Sequence, residues 1–93
     1  MRSIITNERK CYVCGSEINL ERHHIIFGTA GRKKSEKYGL TVMLCQEHHR
    51  GTFGVHGKNG AELNKKLKIE GQRAFEANHS HEDWMNIFHK NYM

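Results

Sequence analysis

The chain has no proline and only three cysteines. Without proline, the nine glycines have to punctuate the backbone. An odd cysteine count does not suit a closed disulfide framework, so a reducing, intracellular setting is expected. Long apolar runs are also missing: nothing approaches the ~18 residues that a membrane span requires. The opening Met1-Arg2-Ser3-Ile4-Ile5-Thr6 is too short and polar for a secretory leader. These absences point to a cytoplasmic protein with no membrane partner.

At 93 residues there is room for one core, so residues 1–93 are expected to form a single domain. A chain this short buries roughly 60–70% of its unfolded surface, which leaves it marginal and makes a metal staple a useful supplement. The net charge of +5 suits a polyanionic partner, though charge of this size is common among soluble proteins. Histidine is over-supplied. Of eight, five (His23, His24, His48, His49 and His56) fall in one stretch that also holds Cys45.

Patterning gives an α+β reading. Cys11 to Gly15 reads as a tight knuckle turn, with Gly15 free to take positive φ. Asn19 to Ile26 alternates as a strand, and Leu40 to Leu44 is a second, apolar one. Between them, 27–38 reads as a loop rich in glycine, lysine and arginine. A helical turn starts near Gln46. Asn59 with Glu62 resembles a capping box opening a helix over about 59–78, and Gly71 within it implies a close neighbour. Ser80 with Asp83 caps a second helix over about 80–92, striped by Trp84, Ile87, Phe88 and Tyr92. The two helices are expected to form a hairpin over a small metal-bound core.

Cys11-x2-Cys14 and Cys45-x2-His48 together supply three thiolates and an imidazole. Zinc prefers four such ligands in a tetrahedron, and each turn delivers two of them from one backbone bend. Such a shell is closed and therefore structural. The rival reading makes Cys11-x2-Cys14 a redox pair and Cys45 a buried small hydrophobe, although the βα context of a redox pair is missing. His49, next to His48, is an alternative fourth ligand.

His23 and His24 sit consecutively on the first strand, so their side chains point to opposite faces. One can hold a metal on one side of a phosphate while the other activates water. His49 and His56 can complete the metal set if the segment between them folds back. Imidazoles suit zinc, nickel or cobalt better than magnesium. The bland reading makes His23 and His24 ordinary strand histidines. His79, His81 and His89 show no partner pattern.

The order Cys-x2-Cys, His-His-Ile-Ile, Leu-Cys-x2-His-His resembles the HNH endonucleases of the ββα-metal (His-Me finger) class over residues 11 to about 57. Glu21 to His24, Cys45 to Gly51 and Val55 to Gly57 look closest to small phage HNH proteins, including the phage recombination-enhancement (RecA-dependent) nucleases. The resemblance implies a zinc-stapled ββα-metal domain with structural zinc on Cys11, Cys14, Cys45 and His48. It makes His24 the general base and His23, His49 and His56 ligands of a catalytic divalent metal such as magnesium, manganese, nickel or zinc. Two departures stand out: many members have aspartate where His23 stands, and the middle asparagine that braces the base is absent from 38–44.

The implied activity is hydrolysis of DNA phosphodiester bonds with low sequence specificity, in the host cytoplasm of a phage or prophage. Implied partners are DNA and a recombinase filament or packaging proteins, with the chain a monomer or homodimer. Arg22, Arg32, Lys33, Lys34, Lys37 and Arg50 are candidate phosphate contacts, salt-sensitive and sequence-independent; the lysines read equally well as a solvated loop. A non-catalytic zinc module that binds nucleic acid or protein, and a nuclease active only within a complex, are the alternatives.

Overall fold

The computed structural model describes residues 2–93; Met1, part of the expected single domain, lies outside the described residues. The core of the fold is one antiparallel pair, β1 (Leu20–His24) and β2 (Thr41–Cys45), with Leu20 opposite Cys45, His23 opposite Val42 and His24 opposite Thr41. Val42, Leu44 and Cys45 are buried, which accounts for the apolar composition of β2. One more backbone bond, from Ile25 N–H to the Leu40 carbonyl (2.9 Å), extends the pairing toward the connection.

That connection is a helix, α1 (Thr29–Tyr38), and not the loop expected over 27–38. It carries no apolar stripe for periodicity to detect. Its residues are nonetheless good helix formers, among them Ala30, Lys33, Lys34, Glu36 and Lys37. Ser35 supplies the anchor. Its fully buried hydroxyl accepts from Ile26 N–H (3.0 Å) and donates to the Ile26 carbonyl (2.7 Å). The helix stops at Gly39, in the left-handed region at φ 73°.

A short helix, α2 (Gln46–Arg50), follows β2 directly, and residues 51–60 then fold back over it. Val55 N–H bonds the His48 carbonyl and His56 N–H bonds the His49 carbonyl, each at 3.0 Å. Gly57 and Gly60 make this return possible: a Cβ on Gly57 would run into the Gly51 carbonyl oxygen, and one on Gly60 into that of Gly54.

The chain ends in α3 (Ala61–Glu76) and α4 (His81–Phe88). Phe75 and Trp84, both buried, join the two helices with ring centroids 5.5 Å apart, and Leu67 lies in the same core as Ile25 and Leu40. Gly71 does have a close neighbour, since an added Cβ would lie 2.9 Å from Ile25 Cγ2. Ser80 and Asp83 form a reciprocal capping box at the start of α4. The box expected from Asn59 and Glu62 does not form. Asn59 N–H is bonded to the Thr52 carbonyl, and buried Gly60 takes the cap position with no side-chain bond. The last helix also ends four residues earlier than the expected 92. His89 adopts φ 62°, and the tail returns over α3, with Trp84 Nε1 donating to the Lys90 carbonyl (2.8 Å) and Tyr92 N–H to Gln72 Oε1 (2.7 Å). Among the described residues, no helix is long and apolar enough to cross a membrane.

Candidate metal centre

The knuckle is built by backbone bonds. Gly15 N–H bonds the Cys11 carbonyl (2.8 Å), Cys11 N–H bonds the Ser16 carbonyl (2.7 Å), and Gly15 takes φ 78°. Tyr12 N–H bonds the Met43 carbonyl (2.8 Å), which lays the knuckle against β2. Cys45 closes that strand and His48 lies one turn into α2. The ligand atoms of Cys11, Cys14, Cys45 and His48 all lie within 4.8 Å of one another.

The spacings fit a zinc ion. Bonds of about 2.3 Å to sulfur put tetrahedral neighbours about 3.8 Å apart. Cys14 Sγ and Cys45 Sγ are 3.8 Å apart, and His48 Nδ1 is 3.2 Å from Cys45 Sγ and 3.8 Å from Cys11 Sγ. A disulfide would need sulfurs about 2.05 Å apart, and all three cysteines are free. Burial pushes the Cys11 thiol up, but hydrogen bonds from the backbone of Cys45, Cys14 and Val13 outweigh it and bring the group down to about 6. A sulfur held this way is ready to act as a thiolate ligand. At Cys14 the backbone bond from Ser16 lowers the thiol, yet burial and the neighbouring Cys11 and Cys45 sulfurs raise it on balance.

The second cluster adjoins the first through the His48–His49 pair. His23 comes from β1, His49 from α2 and His56 from the returning segment, and their ligand nitrogens again lie within 4.8 Å. Ring centroids are 5.3 Å apart for His23–His49, 5.2 Å for His23–His56 and 4.9 Å for His49–His56. His23 is 1% exposed, and neither ring nitrogen has a hydrogen-bond partner. Burial, then the neighbouring His49 and His56, drives it down to about 3. His56 is lowered as well, by burial first and His49 second. Neutral imidazoles with unshared lone pairs are what a cation needs, and an unsatisfied buried nitrogen is costly without one.

Two carboxylates brace the histidines. Glu21 Oε1 is 2.8 Å from His49 Nδ1, while Arg50 holds the same carboxylate through Nε (3.0 Å) and Nη2 (2.6 Å). This leaves His49 Nε2 for an ion, in the carboxylate–histidine–metal arrangement of many metal sites. The His49 bond, then Arg50, holds the Glu21 carboxyl below the usual range against the opposing effect of burial. Glu36, on α1, places Oε2 at 2.9 Å from His24 Nε2 and Oε1 at 3.2 Å from Arg22 Nη2. Its carboxyl is lowered too, by the His24 bond first and by Arg22.

His24, His49 and His56 line a single open cleft of about 530 Å³ with Arg22, Phe27, Gly28, Thr29 and Arg32. The candidate phosphate contacts divide accordingly. Arg22 and Arg32 face the cleft. Lys34 donates to the Ile87 carbonyl (2.6 Å), Lys37 sits 5.3 Å over the Tyr38 ring, and Arg50 is engaged by Glu21. Lys33 is exposed on α1.

Glu21, Glu36, Phe27 and Lys68 were not singled out from sequence. Phe27 packs its ring against His56 at 4.9 Å, and Lys68 Nζ lies 4.7 Å over Phe27. Glu21 stood within the Glu-Arg-His-His string, but nothing there gave it a role. No family model, no curated protein and no solved structure matches the chain.

Proposed function

We propose that this chain is a metal-dependent HNH-type endonuclease of the ββα-metal class, phage or prophage encoded, that hydrolyses DNA phosphodiester bonds with little sequence preference. The observation that carries the reading is the cleft itself. His49 and His56, two of the three clustered imidazoles, line it with a separate histidine, His24, while His23 lies buried behind them and a four-residue Cys3His set stands alongside.

In this reading Cys11, Cys14, Cys45 and His48 would hold a structural zinc, and His23, His49 and His56 a second divalent ion. The second ion, when bound, supplies charge stabilisation at the phosphate and the leaving oxygen. The chain supplies the rest. Arg22 and Arg32 draw a phosphate into the cleft by charge and hydrogen bonding. His24 takes the proton of a water as its oxygen attacks phosphorus and the bond to the leaving oxygen breaks. Base edges have no dedicated reader among these groups, which is why cutting is expected to be sequence-tolerant. A recombinase filament or packaging assembly is a fitting partner for such a small cutter.

A plasmid-nicking assay with zinc-loaded protein and added magnesium, manganese, nickel or zinc tests the proposal. The parent should nick, and His24→Ala should lose about 10²–10⁴-fold in rate, the range a general base contributes, while still binding DNA and melting normally. A His24→Ala protein that cuts like the parent rules out the assignment. A parent that binds DNA but never cuts it with any of the four metals favours the non-catalytic zinc module.

A further inference from the structure

His24 lines the cleft, and one of its ring nitrogens, Nε2, lies 2.9 Å from Glu36 Oε2. We propose that Glu36 is the positioning residue for His24: its carboxylate accepts Nε2–H, fixes that tautomer and ring orientation, and leaves the Nδ1 lone pair to receive the proton of water. The kinetic consequence rests on the nuclease reading; the positioning contact does not.

Three features of the fold deliver this contact. First, Ser35 pins α1 to the chain two residues beyond β1, through both backbone groups of Ile26, at 3.0 and 2.7 Å. The next residue along α1 is then held at a set distance from the strand. Second, Gly31 lets the helix approach, since an added Cβ would meet Ile26 Cγ2 at 2.9 Å. Third, Arg22 grips Oε1 at 3.2 Å, so that Oε2 faces His24 Nε2 at 2.9 Å. A carboxylate so held is a fixed acceptor and not a wandering surface charge. A neutral imidazole has one donor and one acceptor nitrogen, and a carboxylate can only accept. The pairing therefore assigns the donor to Nε2 and the acceptor to Nδ1. By the same logic a third group orients the base of a nucleophile–base pair.

The test has two arms on the full zinc-loaded chain. In the first, histidine-selective ¹⁵N labelling and long-range ¹H–¹⁵N correlation report which nitrogen of His24 bears the proton, with the signals assigned by their loss in His24→Gln. The parent should show Nε2 protonated. Glu36→Ala should show a mixture of tautomers, and Glu36→Gln, whose amide oxygen can still accept, should restore the parental pattern. In the second arm, Glu36→Ala should lower kcat by about 10–100-fold, as loss of an orienting partner does. KM and the affinity for the exchangeable metal should stay within about twofold, and Glu36→Gln should recover most of the rate. A helix that merely packs would move the melting temperature without this pattern. Unchanged His24 signals in Glu36→Ala, or an unchanged kcat, overturn the proposal. A parent chain that cleaves nothing overturns the nuclease reading instead, and the spectra alone then decide the role of Glu36.

Discussion

A proton added to His23 has no counter-charge and no solvent, because the side chain is buried and both nitrogens are unpaired. Its folded value of about 3 lies below the ordinary histidine value near 6.5. The unfolded chain therefore binds this proton first as pH falls, and stability drops with it. Above about pH 6.5 both states are neutral there and the contribution is flat. Between pH 6.5 and 3 the loss approaches about 1.4 kcal/mol per pH unit. Urea titrations with the knuckle loaded, and no ion added for the histidine trio, should show it. From pH 7 to pH 5 the parent should lose about 2 kcal/mol more than His23→Gln; equal losses would mean that His23 is solvated or paired. At this scale the sequence told much. The clustering of Cys11, Cys14, Cys45 and His48 was legible in spacing, because Cys-x2-Cys and Cys-x2-His each bring two side chains together through a local turn. The carboxylates were silent, because Glu36 meets His24 only through the placement of a whole helix.

That helix, α1, is the element for which sequence patterning failed. Its only large apolar side chain is Tyr38, so it offers no stripe at helical spacing. Its contacts are scattered ones: a buried hydroxyl, a close glycine approach, Lys34 bonded to the end of α4 at Ile87, Glu36 paired with His24 and Arg22, and Tyr38 packed edge-on to Phe75 and Phe88. By contrast, β2 and α3 were legible because burial selects their residues, and the Ser80–Asp83 box was legible because it is local. The return of the tail after His89 was not, since it depends on Trp84, Gln72 and Asn91 meeting across the hairpin. Ser35→Ala isolates the contribution of α1. It removes two hydrogen bonds at a fully buried position and leaves the Ile26 backbone groups without their partner, which should cost about 1–3 kcal/mol. The midpoint in urea reads this directly, and a loss below about 0.5 kcal/mol would show that α1 is held by other contacts.

Taken whole, the molecule has a small core, and much of its N-terminal half is organised around the sulfur site. Cys11 precedes β1, Cys45 closes β2, and His48 lies on the helix whose next residue feeds the cleft. Binding of a structural zinc is worth roughly 10–16 kcal/mol in small domains, as much as the whole stability of a typical fold, about 5–15 kcal/mol. Stripping that ion with a strong chelator should therefore unfold the N-terminal half, seen as loss of protection of β1 and β2 amides in hydrogen exchange, and Cys14→Ala should do the same without chelator. The histidine trio should behave differently. It is open to solvent on the His56 side, and it gathers three candidate ligands instead of four. A weak chelator should remove its ion while one zinc per chain remains and the amides stay protected. His56→Ala should lower affinity for that second ion and leave the first in place. A single class of metal, released in one step with all structure, would remove the distinction between staple and working ion on which the cleft chemistry depends. Two classes, separable in this way, are what the proposed reading of a four-ligand sulfur site beside a three-imidazole site requires.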